Sequence, residues 1–401
     1  MRQFPFIFNL GAGLHRGPVN LWSRLLFLFV LNNKRTFIVD HLIMKKIFYI
    51  FLVTAILTPA VSWAQTQKLE FSVWVPYWKK TAATAEVKNH LAQLSTISPF
   101  SFEMTADGQI RDAMKIKEAP WTEMITAARK QGVKVIPSIM WSDGAMMDKI
   151  FRNRNLREAH IKDIVDLVVA GKFDGIDIDY ENKQASTYYG FAAFLRSLSL
   201  KLQARNKTLV CTIEPRFAPT SKYREVPTDI QYANNYPAIN KYCDEIRVMT
   251  YEQTTADWKL TNQKIKLGYY QPLADVAWVS KVAVFTSQEI NREKMVLGVV
   301  NYGYEYEVTD NGSIYNYKRL RSLSYQAAME LAKAEGVTPK RNSAGELSFA
   351  YKKDGATRLV WFSDAQAIAD KVALAKKLGV KGVALFRLDG ESDPKLWRAL
   401  K

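Results

Sequence analysis

The sequence predicts an α/β fold, a (β/α)8 TIM barrel with a small α+β insertion between strands 7 and 8. Three observations carry this. Eight short apolar or alternating runs recur along the chain with helical patterning between them, the order of a sheet wound with helices. From residue 65 onward there are 337 residues, large for one simple domain and ordinary for a barrel carrying an insertion. The rhythm breaks once, over 305–361, where short extended pieces and one helix replace the alternation.

Residues 71–77 make the first strand, 83–94 a helix and 96–102 the second strand. A helix over 121–131 is ended by Gly132, and 133–140 is the third strand. Helical segments within 145–170 lead to the fourth strand, which runs up to Glu181. A helix over 184–205 precedes the fifth strand, 209–214; the sixth is 245–251 and the seventh 295–300. After a helix at 364–379, the eighth strand is 382–386. Extended pieces at 314–317, 346–351 and 357–361, with a helix at 325–335, form the insertion over the active-site mouth. In such a barrel, catalytic residues sit at the C-terminal ends of the strands.

Residues 1–43 are apolar and dotted with arginine, without a helical or strand period. Met44-Lys45-Lys46 then opens an apolar run over 47–59, followed by Ser62-Trp63-Ala64. A basic start, an apolar core and a small-x-small ending read as a signal peptide over 44–64, cleaved after Ala64. The expectation is an exported protein, secreted or periplasmic, that starts at Met44, with 1–43 a mis-called upstream extension. A membrane anchor built from 21–30 and 47–61 is the competing reading. Neither run reaches the ~18 apolar residues that a span needs, so no stable membrane anchor is expected.

The formal charge of the whole chain is +17; from residue 65 it is +11, from 49 basic and 38 acidic residues. That balance favours an anionic surface such as a cell wall. The basic residues are scattered, with no basic helix or aromatic RNA-binding motif, which excludes nucleic acid as a partner. The two cysteines, Cys211 and Cys243, cannot build a disulfide-framed fold; a pair and two buried thiols are both open. The four histidines show no metal spacing, and His160, within a helix, is expected at the surface.

The stretch Phe173-Asp174-Gly175-Ile176-Asp177-Ile178-Asp179-Tyr180-Glu181 carries the chemistry. Side chains on a strand alternate between faces, so Asp177, Asp179 and Glu181 share one face and Ile176, Ile178 and Tyr180 the other. Neighbouring carboxyls stand roughly 6–7 Å apart along the strand. Crowded carboxylates cannot all stay ionised, and at least one is pushed towards keeping its proton near neutral pH. An edge strand with its acids in water would show the same alternation. A calcium loop would not, because its glycine and distal glutamate are missing at the required offsets.

The full string matches D-G-x-D-x-D-x-E and resembles the signature of glycoside hydrolase family 18, the chitinase family. Arg247-Val248-Met249-Thr250-Tyr251-Glu252 resembles the family's M-x-Y-D motif, with Glu252 where aspartate is usual. Leu297 to Gly303 resembles its seventh strand. Leu359 to Asp364 and Lys381 to Gly390 are similar to the bacterial branch that includes spore-cortex and cell-wall N-acetylglucosaminidases. Phe386 stands where the family's tryptophan floors the scissile sugar. The resemblance spans about 70–400.

It implies substrate-assisted retaining catalysis on β-1,4-linked N-acetylglucosamine glycans, chitin-type oligosaccharides or peptidoglycan, with no metal or organic cofactor. Glu181 would be the acid/base and Asp179 the partner of the acetamide N–H. Asp177 would share a proton with Asp179, and Tyr251 would bind the acetamide oxygen. Phe386, Met249 and Glu252 are substrate-binding candidates. Trp78 and Trp141 follow strands 1 and 3, either as sugar platforms or as barrel-top packing. Glu214, ending strand 5, is either a substrate contact or the salt-bridge partner of Arg216 or Arg247. Asp174 is expected to fix the loop entering strand 4. The alternative is a non-catalytic lectin on the same scaffold. A monomer is expected.

Overall fold

The computed structural model describes residues 68–310 and 315–400. The expected signal peptide and upstream extension lie outside the described residues. Eight strands follow in chain order: β1 Glu70–Pro76, β2 Thr96–Met104, β3 in two pieces (Lys134–Val135 and Ser138–Trp141) and β4 Gly175–Tyr180. The others are β5 Thr208–Ile213, β6 Glu245–Val248, β7 Met295–Val300 and β8 Gly382–Phe386. Each pairs with its neighbours in parallel, and β1 pairs with both β2 and β8, which closes the barrel.

The barrel strand edges lie within two residues of those expected from the sequence, apart from two larger differences. Residues 133–140 do not form one strand, because Pro137 has no N–H to give the ladder and splits β3. The sixth strand stops at Val248, so Met249–Glu252 leave the sheet and form part of the rim. A short strand at Ile110–Asp112, absent from the reading, folds back antiparallel onto the end of β2.

Alternation sets what each face holds. Ile176, Ile178 and Tyr180 of β4 face outward and pack in the main hydrophobic core between barrel and helices. Inside the barrel, Trp74, Val296 and Ala384 form a separate small cluster, with Phe100 and Phe386 against it. The helix Arg154–Ala170 buries His160, Ile161, Ile164, Val165 and Val168. Their spacing is one helical stripe. His160 is therefore not at the surface: its Nε2 lies 2.8 Å from the Tyr180 hydroxyl, and burial pushes its pKa down to about 4.

Between β7 and β8 the chain builds a five-stranded antiparallel sheet. Its order is Tyr315–Leu323, Gly303–Asp310, Ala356–Phe362, Leu347–Lys353 and Lys340–Arg341. The helix Tyr325–Ala334 covers it, and Leu323, Ala328, Phe349, Val360 and Phe362 form its own small core. Cys211 on β5 and Cys243 just before β6 are joined as a disulfide, with Cα atoms 6.0 Å apart. Among the described residues, no helix is long and apolar enough to cross a membrane.

Candidate active site

The acidic face of β4 climbs from the barrel interior to its C-terminal mouth. Asp177 is 0% exposed, Asp179 5%, and Glu181, just past the strand, is half-buried. This gradient gives three equal acids three environments.

Asp177 is saturated with donors. Thr212 Oγ1 donates to Oδ1 (2.7 Å), while Trp74 Nε1 (2.9 Å), Ser138 Oγ (2.7 Å) and Arg247 Nη1 (3.4 Å) converge on Oδ2. Both oxygens of Asp177 thus accept from other groups. Arg247 is fully buried, donates from Nε to Glu245 (2.8 Å) and lies 5.0 Å from the Trp74 ring centroid.

Asp179 is the opposite case. Its Oδ1 is buried without a hydrogen-bond partner. Burial first, then the charges of Glu181, Asp177 and Glu214, hold its carboxyl well above the usual carboxylate range; Lys183 opposes them. Glu181 is pushed up by burial and by Glu214 and Glu252, with Lys183 again pulling down. Its carboxyl takes no hydrogen bond among the described residues.

Other mouth carboxyls are tied. Glu214 Oε1 accepts from the Asn182 N–H (2.8 Å), and Oε2 accepts from Asn234 Nδ2 (2.7 Å) and Lys183 Nζ (3.4 Å). Burial pushes Glu214 up, but Lys183 and these donors outweigh it and leave it lowered. Its salt-bridge partner is therefore Lys183, neither Arg216 nor Arg247. Arg216 instead lies 3.8 Å from the Tyr232 ring centroid and 3.7 Å from that of Tyr236, and pairs with Glu289. Glu252 Oε1 accepts from the hydroxyls of Tyr302 and Tyr304, with Arg319 3.7 Å from Oε2. The longer glutamate thus links the rim of β6 to the insertion.

Phe386 forms an apolar floor. It stacks on Tyr251 (5.7 Å, 10° between planes) and meets Trp74, Phe100 and Tyr302 edge-on. The Tyr251 hydroxyl takes no hydrogen bond among the described residues. Met249 is buried, two positions beyond Arg247. Trp78 is 45% exposed beside Phe100, with the Arg387 guanidinium 5.6 Å from its ring centroid. Trp141 is only 2% exposed and wedged among Phe151, His160 and Tyr180. Alternation turns it outward on β3, so its sugar-platform reading is corrected to packing. Asp174 accepts from the Val135 N–H (2.7 Å), pinning the entry to β4 to β3.

Sequence reasoning missed Lys183, Trp74, Ser138, Tyr302 and Tyr304. Period-two alternation marks Trp74 and Ser138 as inward on their strands; nothing in the sequence marks Lys183. Among the described residues no cluster of three or more His, Cys, Asp or Glu suits a metal ion.

The mouth of the closed barrel thus holds a half-buried carboxyl, Glu181, above the buried Asp179, whose carboxyl is pushed up by burial and by its acidic neighbours. Residues 73–391 match the model of Glycosyl hydrolases family 18, and the chain belongs to that family of glycoside hydrolases. It is 24% identical over 330 residues to the uncharacterized glycosylase YvbX of Bacillus subtilis (strain 168), covering 80% of this chain and 88% of YvbX. Its fold is similar to the spore cortex-lytic enzyme SleL of Bacillus megaterium QM B1551, with TM-score 0.65, 22% identity and coverage of 83% and 73%. A class V chitinase from Pseudomonas fluorescens Pf-5 is similar too, with TM-score 0.69, 21% identity and coverage of 83% and 98%.

Proposed function

We propose that the protein is an exported hydrolase of β-1,4 bonds in N-acetylglucosamine glycans, chitin-type oligosaccharides or peptidoglycan, acting by substrate-assisted retention. One observation carries the reading: among the described residues, Glu181 is the mouth carboxyl without a protein hydrogen-bond partner. Glu214 is held by Lys183, Asn182 and Asn234, Glu252 by two tyrosines, and Asp179 is buried. With no second carboxylate free to attack, the nucleophile comes from the substrate, as its 2-acetamido oxygen.

Glu181 gives its proton to the glycosidic oxygen as that bond breaks, and the acetamide oxygen closes on the anomeric carbon. Asp179, with Oδ1 unpartnered, takes the acetamide N–H and balances the oxazolinium charge. The Tyr251 hydroxyl steadies the acetamide oxygen. Water then opens the ring at the anomeric carbon and returns a proton to Glu181. Phe386 and Trp78 supply apolar surface for the sugar faces. The signal peptide at 44–64, the Cys211–Cys243 disulfide and the basic charge support export to an oxidising compartment beside an anionic surface.

The test compares the parent with Glu181→Gln on N-acetylglucosamine tetramer and on purified peptidoglycan strands. Mass spectrometry reads products, and NMR reads the first anomer released. Cleavage by the parent alone, with retained configuration, is the expected result, and the preferred substrate separates chitin from cell wall. Binding without cleavage by the parent would replace the enzyme with a lectin.

A further inference from the structure

Immediately after Glu181 the chain reverses. Asn182 has φ 57°, a left-handed conformation that asparagine tolerates better than most residues. This turn sends the Lys183 side chain back under the mouth, where it is 1% exposed. Its ammonium is enclosed on three sides. It donates to the Tyr180 carbonyl, pairs with Glu214 Oε2 at 3.4 Å and lies 5.1 Å from the Phe191 ring centroid. Asn182 and Lys183 thus grip the two oxygens of one carboxylate, Glu214, from consecutive positions.

A lysine is buried with an unscreened charge only where anions surround it. Here they do: Glu214, Asp179 and Glu181 all act on the Lys183 ammonium against the downward push of burial. The reaction as described uses Glu181 and Asp179 and leaves Lys183 without a role.

We propose that Lys183 is a positioning residue of the reaction, tying the turn that carries Glu181 to Glu214 and neutralising Glu214 beside the acid. The inference rests on the reading of Glu181 as acid/base. Without the ammonium, Glu214 keeps its Asn182 and Asn234 donors and faces Glu181 as an uncompensated anion. Glu181 then holds its proton to higher pH. Without the Glu214 charge, the bare ammonium makes Glu181 release it at lower pH.

The experiment is the pH dependence of kcat/KM on N-acetylglucosamine tetramer for the parent, K183M, E214Q, K183M/E214Q and K183R. The limb lost on raising pH should move up by about one pH unit in K183M and down by about one in E214Q. It should return near the parent in the double variant and in K183R. Should K183M fail to accumulate, E214Q and the charge-matched double variant carry the test. A limb unmoved in E214Q, or shifts that do not cancel in the double variant, would overturn the proposal. Full activity in Glu181→Gln would instead overturn the acid/base reading on which it rests.

Discussion

The indole N–H of Trp74 on β1 donates to Asp177 on β4 across the barrel interior, at 2.9 Å. These residues are 103 positions apart in the chain. Their contact ties the foot of the acidic row to the opposite wall, and with Ser138, Thr212 and Arg247 it makes Asp177 a structural anchor.

Replacing Asp177 by Asn keeps the shape and removes the anion facing buried Arg247. Among the described residues, Arg247 then retains Glu245 alone as its charged partner. A loss of about 3 kcal/mol is expected, since removing one member of a buried pair leaves the other uncompensated. Urea midpoints at unchanged m-value measure it; a loss below about 0.5 kcal/mol would show that the anchor does not matter.

Asp179→Asn should abolish turnover and stabilise the fold. Burial first, then neighbouring carboxylates, raise the Asp179 pKa in the native state. A raised carboxyl leaves stability intact at low pH, and stability is lost as pH rises through the native value. The advantage of the Asn variant therefore grows with pH, to about 1–2 kcal/mol at pH 8. Thermal melts of both proteins at pH 5 and pH 8 give the comparison, and an equal difference at both would refute it.

His160 works in the other direction. Burial lowers its pKa from 6.5 to about 4, so the unfolded chain binds its proton first as pH falls. Its contribution is present above 6.5 and is lost between there and about 4, about 3 kcal/mol in all. The difference in stability between the parent and His160→Gln, followed across that window, should shrink by this amount. NMR of the imidazole should show it neutral until near pH 4.

Trp78→Ala should raise KM for long oligomers several-fold and leave kcat within about two-fold, the pattern of lost uniform binding. Its half-exposed ring carries little of the fold, so stability should change by no more than about 0.5 kcal/mol. A large drop in kcat at unchanged KM would place Trp78 in the transition state instead.

Much of this protein was legible in one dimension. Strand alternation sorted Asp177, Asp179 and Glu181 from Ile176, Ile178 and Tyr180, because a two-residue period needs no knowledge of the rest of the chain. The eight-strand rhythm specified the barrel for the same local reason. Alternation also turns Trp141 outward and helical spacing turns His160 inward, yet Trp141 stayed open between platform and packing and His160 was expected at the surface, because their neighbours at the core were unknown. What only tertiary structure decided was pairing. Which donor meets Asp177, which cation neutralises Glu214 and what holds Glu252 depend on side chains from strands and turns far apart in sequence. Lys183 shows the limit most plainly: in the sequence it is one basic residue in a polar stretch, and a single left-handed Asn182 places its charge between three acids.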